Sequence, residues 1–188
     1  MWSRRGRARA GWLAAALAAV LLLHAARRPA HHETIVYLPD AYPAHVAHLL
    51  ADFSHRHHQV DWVLEEEQNN LTWWRYTVRY ECGARCQGGA TVQAEADSPA
   101  RGHHLVHELD RRCEPLLPLL PWPTSCEVTE TVHRVRGEGA GAALEQRSTA
   151  RCGALRTLAG SCAASLRDDD AARLDALRRA LQRRSPHN

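Results

Sequence analysis

The chain has 188 residues, enough for one domain and too few for two independent cores. Its 24 basic side chains are all arginine, and the formal charge of +3 rests on Arg4, Arg5, Arg7 and Arg9, without which the remainder carries −1. A near-neutral body argues against nucleic acid as the partner, because neutralising phosphates takes a clustered positive excess.

Large apolar types are scarce, with one Met, one Phe and one Ile, so a core has to come from Leu, Val, Ala and six Trp. Thirteen His would take up protons near pH ~6.5, making the chain cationic in acidified compartments.

The N-terminus reads as an address. Residues 1–32 hold no carboxylate, four Arg precede an apolar run from Ala10 to Leu23, and His24-Ala25-Ala26-Arg27-Arg28 follows. A basic stretch ahead of an apolar one is the secretory pattern, and Arg retained on the cytosolic side places the C-terminus in the lumen. Either residues 1–30 are a cleaved signal peptide, or residues 10–26 stay in the membrane as a type II anchor. A mitochondrial presequence shares the Arg richness, but such segments are amphipathic and Ser-rich whereas this one is apolar all round. Residues 31–188 then form a single luminal or extracellular domain.

Thr34 to Leu38 forms a short strand in this reading. From Ala41 to about Arg56, Val46, Leu49, Leu50 and Phe53 recur at helical spacing, with Pro43 near the start where its missing N–H is harmless. The opposite stripe of that amphipathic helix carries His45, His48, Asp52 and His55 at relative positions 0, 3, 7 and 10. Imidazole with carboxylate suits a borderline metal such as zinc or copper, while a solvated polar face explains the same pattern without one.

Period-two alternation follows. Val60 to Glu66 leads through a polar cluster to Thr72–Cys82, where Trp74, Tyr76, Val78 and Tyr80 face one way and Trp73, Arg75, Thr77 and Arg79 the other. Asn70-Leu71-Thr72 is a glycosylation sequon at Asn70. Trp62, Trp73 and Trp74 form a candidate binding surface, since neighbours in a strand face opposite sides and one of the pair has to point away from the core. Gly88-Gly89 ends the next connection, and Thr91 to Asp97 and His104 to Arg111 continue the alternation. Pro115, Pro118, Pro121 and Pro123 predict that Glu114 to Thr124 is a stiff crossing loop. Glu127 to Arg136 and Ala142 to Arg151 read as a hairpin, and Asp168-Asp169-Asp170 as the acidic opening of a C-terminal helix that runs to about Arg184.

Six Cys, all beyond residue 80, suit disulfides in an oxidising compartment. In an antiparallel meander Cys82, Cys86, Cys113 and Cys126 share one edge and pair among themselves, leaving Cys152 for Cys162. This narrows fifteen connectivities to three. Zinc is the rival use, but the spacings lack the close Cys pairs of such sites.

The fold class is therefore α+β: an amphipathic helix, an antiparallel meander, disulfides and a C-terminal helix. One helix followed by a meander, with Pro121-Trp122 in a late loop, resembles the cystatin superfamily over residues 41 to about 140. That resemblance implies protease inhibition through a Gln-x-Val-x-Gly hairpin, and the corresponding turn here reads Glu65 to Asn70 instead.

No glycine-bracketed serine, phosphate-binding glycine pattern or metalloprotease helix appears; His104-Leu105-Val106-His107-Glu108 has the wrong order for the last. The expected function is a non-enzymatic domain without a cofactor that binds another protein. A small metal-binding or hydrolytic enzyme using the His stripe, and a mitochondrial intermembrane-space factor, are the alternatives.

Overall fold

In the computed structural model, the described residues are 12, 16–20, 28–52, 61–69, 73–81, 86–95, 103–117, 120–153, 156–157 and 159–184. Strand β1 (Ala30–Leu38) and helix α1 (Pro43–Leu50) come first, followed by six strands: β2 (Asp61–Asn69), β3 (Trp73–Glu81), β4 (Cys86–Glu95), β5 (His104–Leu117), β6 (Leu120–Glu138) and β7 (Gly141–Arg151). Helix α2 (Ser161–Arg184) closes the chain. The architecture is α+β, as composition and alternation indicate.

All seven strands join one antiparallel sheet in the order β1-β7-β6-β5-β4-β3-β2. Strands β2 to β7 are a plain meander, so each pairs with its neighbour in sequence, the shortest connection available. The exception is β1, which lies against the last strand from Ala30↔Ala150 to Leu38↔Ala142. The chain between β1 and β2 therefore passes from one edge of the sheet to the other. Asp40, with φ 56°, makes the turn into α1 in the left-handed region that Asp tolerates better than most residues. Tyr42 caps the helix through its carbonyl, and Pro43 occupies the first turn.

Both helices pack on the same sheet face, α1 against β5, β6 and β7, α2 against β1 and β7, and the two touch each other. Between them lies the core: Val46 and Leu50 of α1, Leu174 and Leu177 of α2, and Val78, Tyr80, Val92, Val106, Val135 and Leu144 from the strands. Gly88 has a packing reason. A Cβ there would run into the Tyr80 ring and the Asp110 carboxylate, whose hydrogen bond passes across it.

Three expectations change. Gly88-Gly89 lies inside β4 and not in a connection, because its rung needs the space a side chain would fill. Residues 114–124 are no crossing loop: β5 and β6 run on as a paired hairpin, through Glu114↔Ser125 and Pro115↔Thr124 to Leu117↔Leu120 with one bulge. Neither β4 nor β7 extends alongside, the last rungs being Cys86↔Arg112 and Val128↔Arg151, so these prolines interrupt no outer ladder. Finally, α2 begins at Ser161, placing Asp168-Asp169-Asp170 two turns inside the helix and away from its dipole end.

Of the amphipathic helix expected from Ala41 to Arg56, α1 accounts for Pro43–Leu50, and residues 53–60 lie outside the described ones. Within residues 10–26 only 12 and 16–20 are described, as helical, with Trp12, Leu17 and Val20 exposed. Among the described residues no helix is long and apolar enough to cross a membrane.

Candidate functional site

The covered face of the sheet is divided. On β3 and β4 its inward residues are Val78, Tyr80, Ala90, Val92 and Ala94, all buried and, apart from the Tyr80 hydroxyl, apolar. On β5, β6 and β7 the same alternation delivers Glu108, Thr131, His133, Gln146 and Ser148, each 1% exposed or less. Registers align them: Glu108↔Thr131↔Ser148 on one rung, His133↔Gln146 on the next. Helix α2 lowers Asp170 and Arg173, three residues apart and so on one face, onto this polar half.

A continuous network results. Ser148 donates to the Asp170 carboxylate at 2.9 Å, and His32 of β1 donates from Nδ1 to its other oxygen at 2.8 Å. Arg173 reaches Thr131 Oγ1 at 3.3 Å, Asp110 at 3.4 Å and Glu108 at 3.7 Å. Tyr80 donates to Asp110, and His133 Nε2 stands 3.6 Å from Glu108. Buried charge is tolerated when it is paired, and each partner then constrains the geometry, because an alternative would leave an uncompensated ion.

The order of groups decides what the network can do chemically. A nucleophilic triad needs an imidazole between serine and carboxylate, so that nitrogen receives the serine proton. Here Asp170 stands between Ser148 and His32, and the carboxylate holds both. The arrangement clamps a helix to a sheet. Both ring nitrogens of His133 and Nε2 of Gln146 are buried without a hydrogen-bond partner, the least satisfied polar atoms of this half.

Beside the clamp, Asp110, Asp170 and Arg173 also line a cavity of about 70 Å³ with Arg112, Glu127 and Arg156.

The sheet edges differ as well. Among the described residues β2 pairs only with β3, is bulged between Leu64 and Glu66, and presents exposed Glu65, Glu66 and Glu67. These are the usual means of discouraging an added strand. Edge strand β1 has neither a bulge nor a run of acidic residues. Its nine residues contain no proline, its register is unbroken, and Ile35 (66%) and Tyr37 (50%) are exposed beside Glu33 and His31.

The residues singled out from sequence fall as follows. His45 and Asp52 are half-buried and His48 is exposed, while His55 lies outside the described residues. Asp52 is close enough to Tyr76 to help raise that phenol's pKa, after burial, which is the larger cause. The one group of three potential metal ligands among the described residues is Glu127, Cys152 and Cys162, whose sulfurs are already bonded to each other. Trp73 is half-buried, with the Arg75 guanidinium 5.9 Å from its ring centre; Trp74, 40% exposed, stacks on Tyr76 at 5.6 Å. Trp62 belongs to β2, but its side chain is outside the described ones, as is Asn70.

Cys113 is bonded to Cys126, directly across the β5–β6 ladder, and Cys152 to Cys162, tying the end of β7 to the first turn of α2. Cys86 is also disulfide-bonded, and Cys82 lies outside the described residues.

Sequence reasoning missed the clamp. Its signal was present strand by strand: Val106 gives way to Glu108, Val135 to His133 and Leu144 to Gln146, always in the inward phase. Only the register shows that these changes coincide. No protein family matches the chain, and no curated protein matches it.

Proposed function

We propose that this chain is a non-enzymatic luminal or extracellular domain, delivered or tethered by its N-terminal apolar segment, that binds another protein through the open edge of β1. The two described disulfides are compatible with an oxidising secretory or extracellular environment, and the sequon at Asn70 supports the same address. The observation that carries the binding is the contrast between the guarded β2 edge and the unguarded β1 edge. An unpaired strand edge offers main-chain donors and acceptors to an extended segment of a partner, and the exposed Ile35 and Tyr37 supply side-chain selectivity.

The test is proximity labelling around the full chain in secreting cells, wild type against Ile35→Lys/Tyr37→Lys. The expected result is a set of extracellular or luminal proteins whose labelling falls about tenfold in the variant, a change of ~1.4 kcal/mol in binding. An identical set and yield for the two chains, with the variant secreted normally, would end the proposal.

A further inference from the structure

The bridges Cys113–Cys126 and Cys152–Cys162 sit in opposite electrostatic settings. Cys152–Cys162 lies under α2, packed with Ala150 and Leu166 on the face that the helices cover. Cys162 is buried, and the Glu127 carboxylate stands 2.8 Å from Cys152 Sγ.

Cys113–Cys126 lies on the uncovered face. Along β5, Glu108, Asp110 and Arg112 share the inward phase, with Asp110 and Arg112 lining the cavity beside α2, so Arg111 and Cys113 belong to the outward one. Cys126 is the direct cross-strand partner of Cys113, with their Cα atoms 4.0 Å apart and both residues half-buried. The Arg111 guanidinium stands 3.7 Å from Cys126 Sγ. The neighbouring outward positions are Gln87, Arg111, Val128 and Arg151 on successive strands, two arginines and no carboxylate.

We propose that Cys113–Cys126 is an exchangeable disulfide whose substrate is a cysteine thiol of another molecule. The incoming thiolate attacks Cys113 Sγ, and a bond forms between those two sulfurs as the Cys113–Cys126 bond breaks. The bonding electron pair leaves on Cys126, whose thiolate the Arg111 guanidinium holds. A substrate with one thiol stops at this mixed disulfide. A substrate with two goes on: its second thiolate attacks the sulfur bound to Cys113 and expels Cys113 as a thiolate. The substrate is then oxidised to a disulfide, and the two protons it released are taken up by Cys113 and Cys126, now a reduced pair.

Three differences single out this bridge over Cys152–Cys162. Exchange is faster when the departing thiolate is stabilised; a nearby arginine does this, whereas the Glu127 carboxylate beside Cys152 does the reverse. The uncovered face leaves the sulfurs open to attack, whereas α2 roofs the other bridge. Finally, rungs Arg112↔Glu127 and Glu114↔Ser125 flank Cys113 and Cys126 and hold them opposite each other. Opening their bond therefore detaches no element, and the sulfurs stay in reach of closing again. Opening Cys152–Cys162 removes the covalent tie between β7 and α2. The activity goes beyond binding at the β1 edge and does not depend on it.

The experiment incubates the full-length, disulfide-intact protein with reduced glutathione, blocks free thiols with an alkylating reagent, and locates the adduct by non-reducing peptide mass spectrometry. The expected product carries glutathione on Cys113 and the alkyl group on Cys126, with Cys152–Cys162 unopened. Arg111 is exposed, so its replacement leaves the core intact. Arg111→Gln should slow formation of the adduct about threefold, the effect of roughly one unit of thiol acidity on exchange, and Arg111→Lys should keep the wild-type rate. Glutathione on Cys126 with Cys113 free, an adduct that forms first at any other cysteine, or no adduct on the folded chain would overturn the proposal. So would an equal rate in Arg111→Gln.

Discussion

The two halves of the covered sheet face are equally buried and obey the same alternation, yet they do different work. Between β3 and β4 the inward residues are apolar apart from the Tyr80 hydroxyl, so neighbouring arrangements differ mainly in how much area they hide. Between β5 and β1 the residues are Glu108, Thr131, His133, Gln146, Ser148 and His32, answered by Asp170 and Arg173 from α2. A shift of one residue there would strand an ion in the interior. The apolar half supplies stability, and the polar half selects which of several compact arrangements is adopted.

That contrast can be broken most severely at Asp170. Asp170→Ala deprives Ser148 and His32 of their acceptor. A loss of about 3–5 kcal/mol is expected in denaturant unfolding with the disulfides intact. The matching change in the apolar half, Val92→Ala, removes two methyl groups from a side chain 1% exposed and should cost about 2 kcal/mol. If the two losses are equal, the polar half has no special role in fixing the fold.

The smallest effect belongs to the seam. His104 lies on β5 between Ala94 and Val135, its Nε2 buried without a hydrogen-bond partner. Burial first, and the neighbouring His103 second, lower its pKa below the usual imidazole range. The unfolded chain therefore binds the proton more readily, so this contribution to stability is present above pH ~6.5 and is lost as pH falls through the lower folded value. His104→Gln should flatten the fall in unfolding midpoint between pH 7.5 and 5.5; an unaltered slope would assign the acid sensitivity to other groups.

How much of this could be read from the sequence follows from the range of each signal. Alternation is local, so β3, with Trp74, Tyr76, Val78 and Tyr80 on one phase, was legible within a residue or two. The proline rule is also local, but it presupposes strands on both sides, and residues 114–124 misled it because neither β4 nor β7 extends alongside their hairpin. Asp168-Asp169-Asp170 looked like a helix start because dipole reasoning sees only one helix. What placed Asp170 in the interior is β1 and β7, more than a hundred and about twenty residues away respectively. Nothing in Ala30–Leu38 identifies Gly141–Arg151 as its partner.

The pairing of the first strand with the last has a consequence for biosynthesis. Residues 30–38 leave the ribosome early, but the segment they hydrogen-bond to is finished only when residue 151 has been added. Throughout that interval the nascent polypeptide carries an unfulfilled edge, and closure is a late, long-range event of the kind that slows folding. Any transcript truncated before Gly141 would yield a product whose opening strand has nowhere to go.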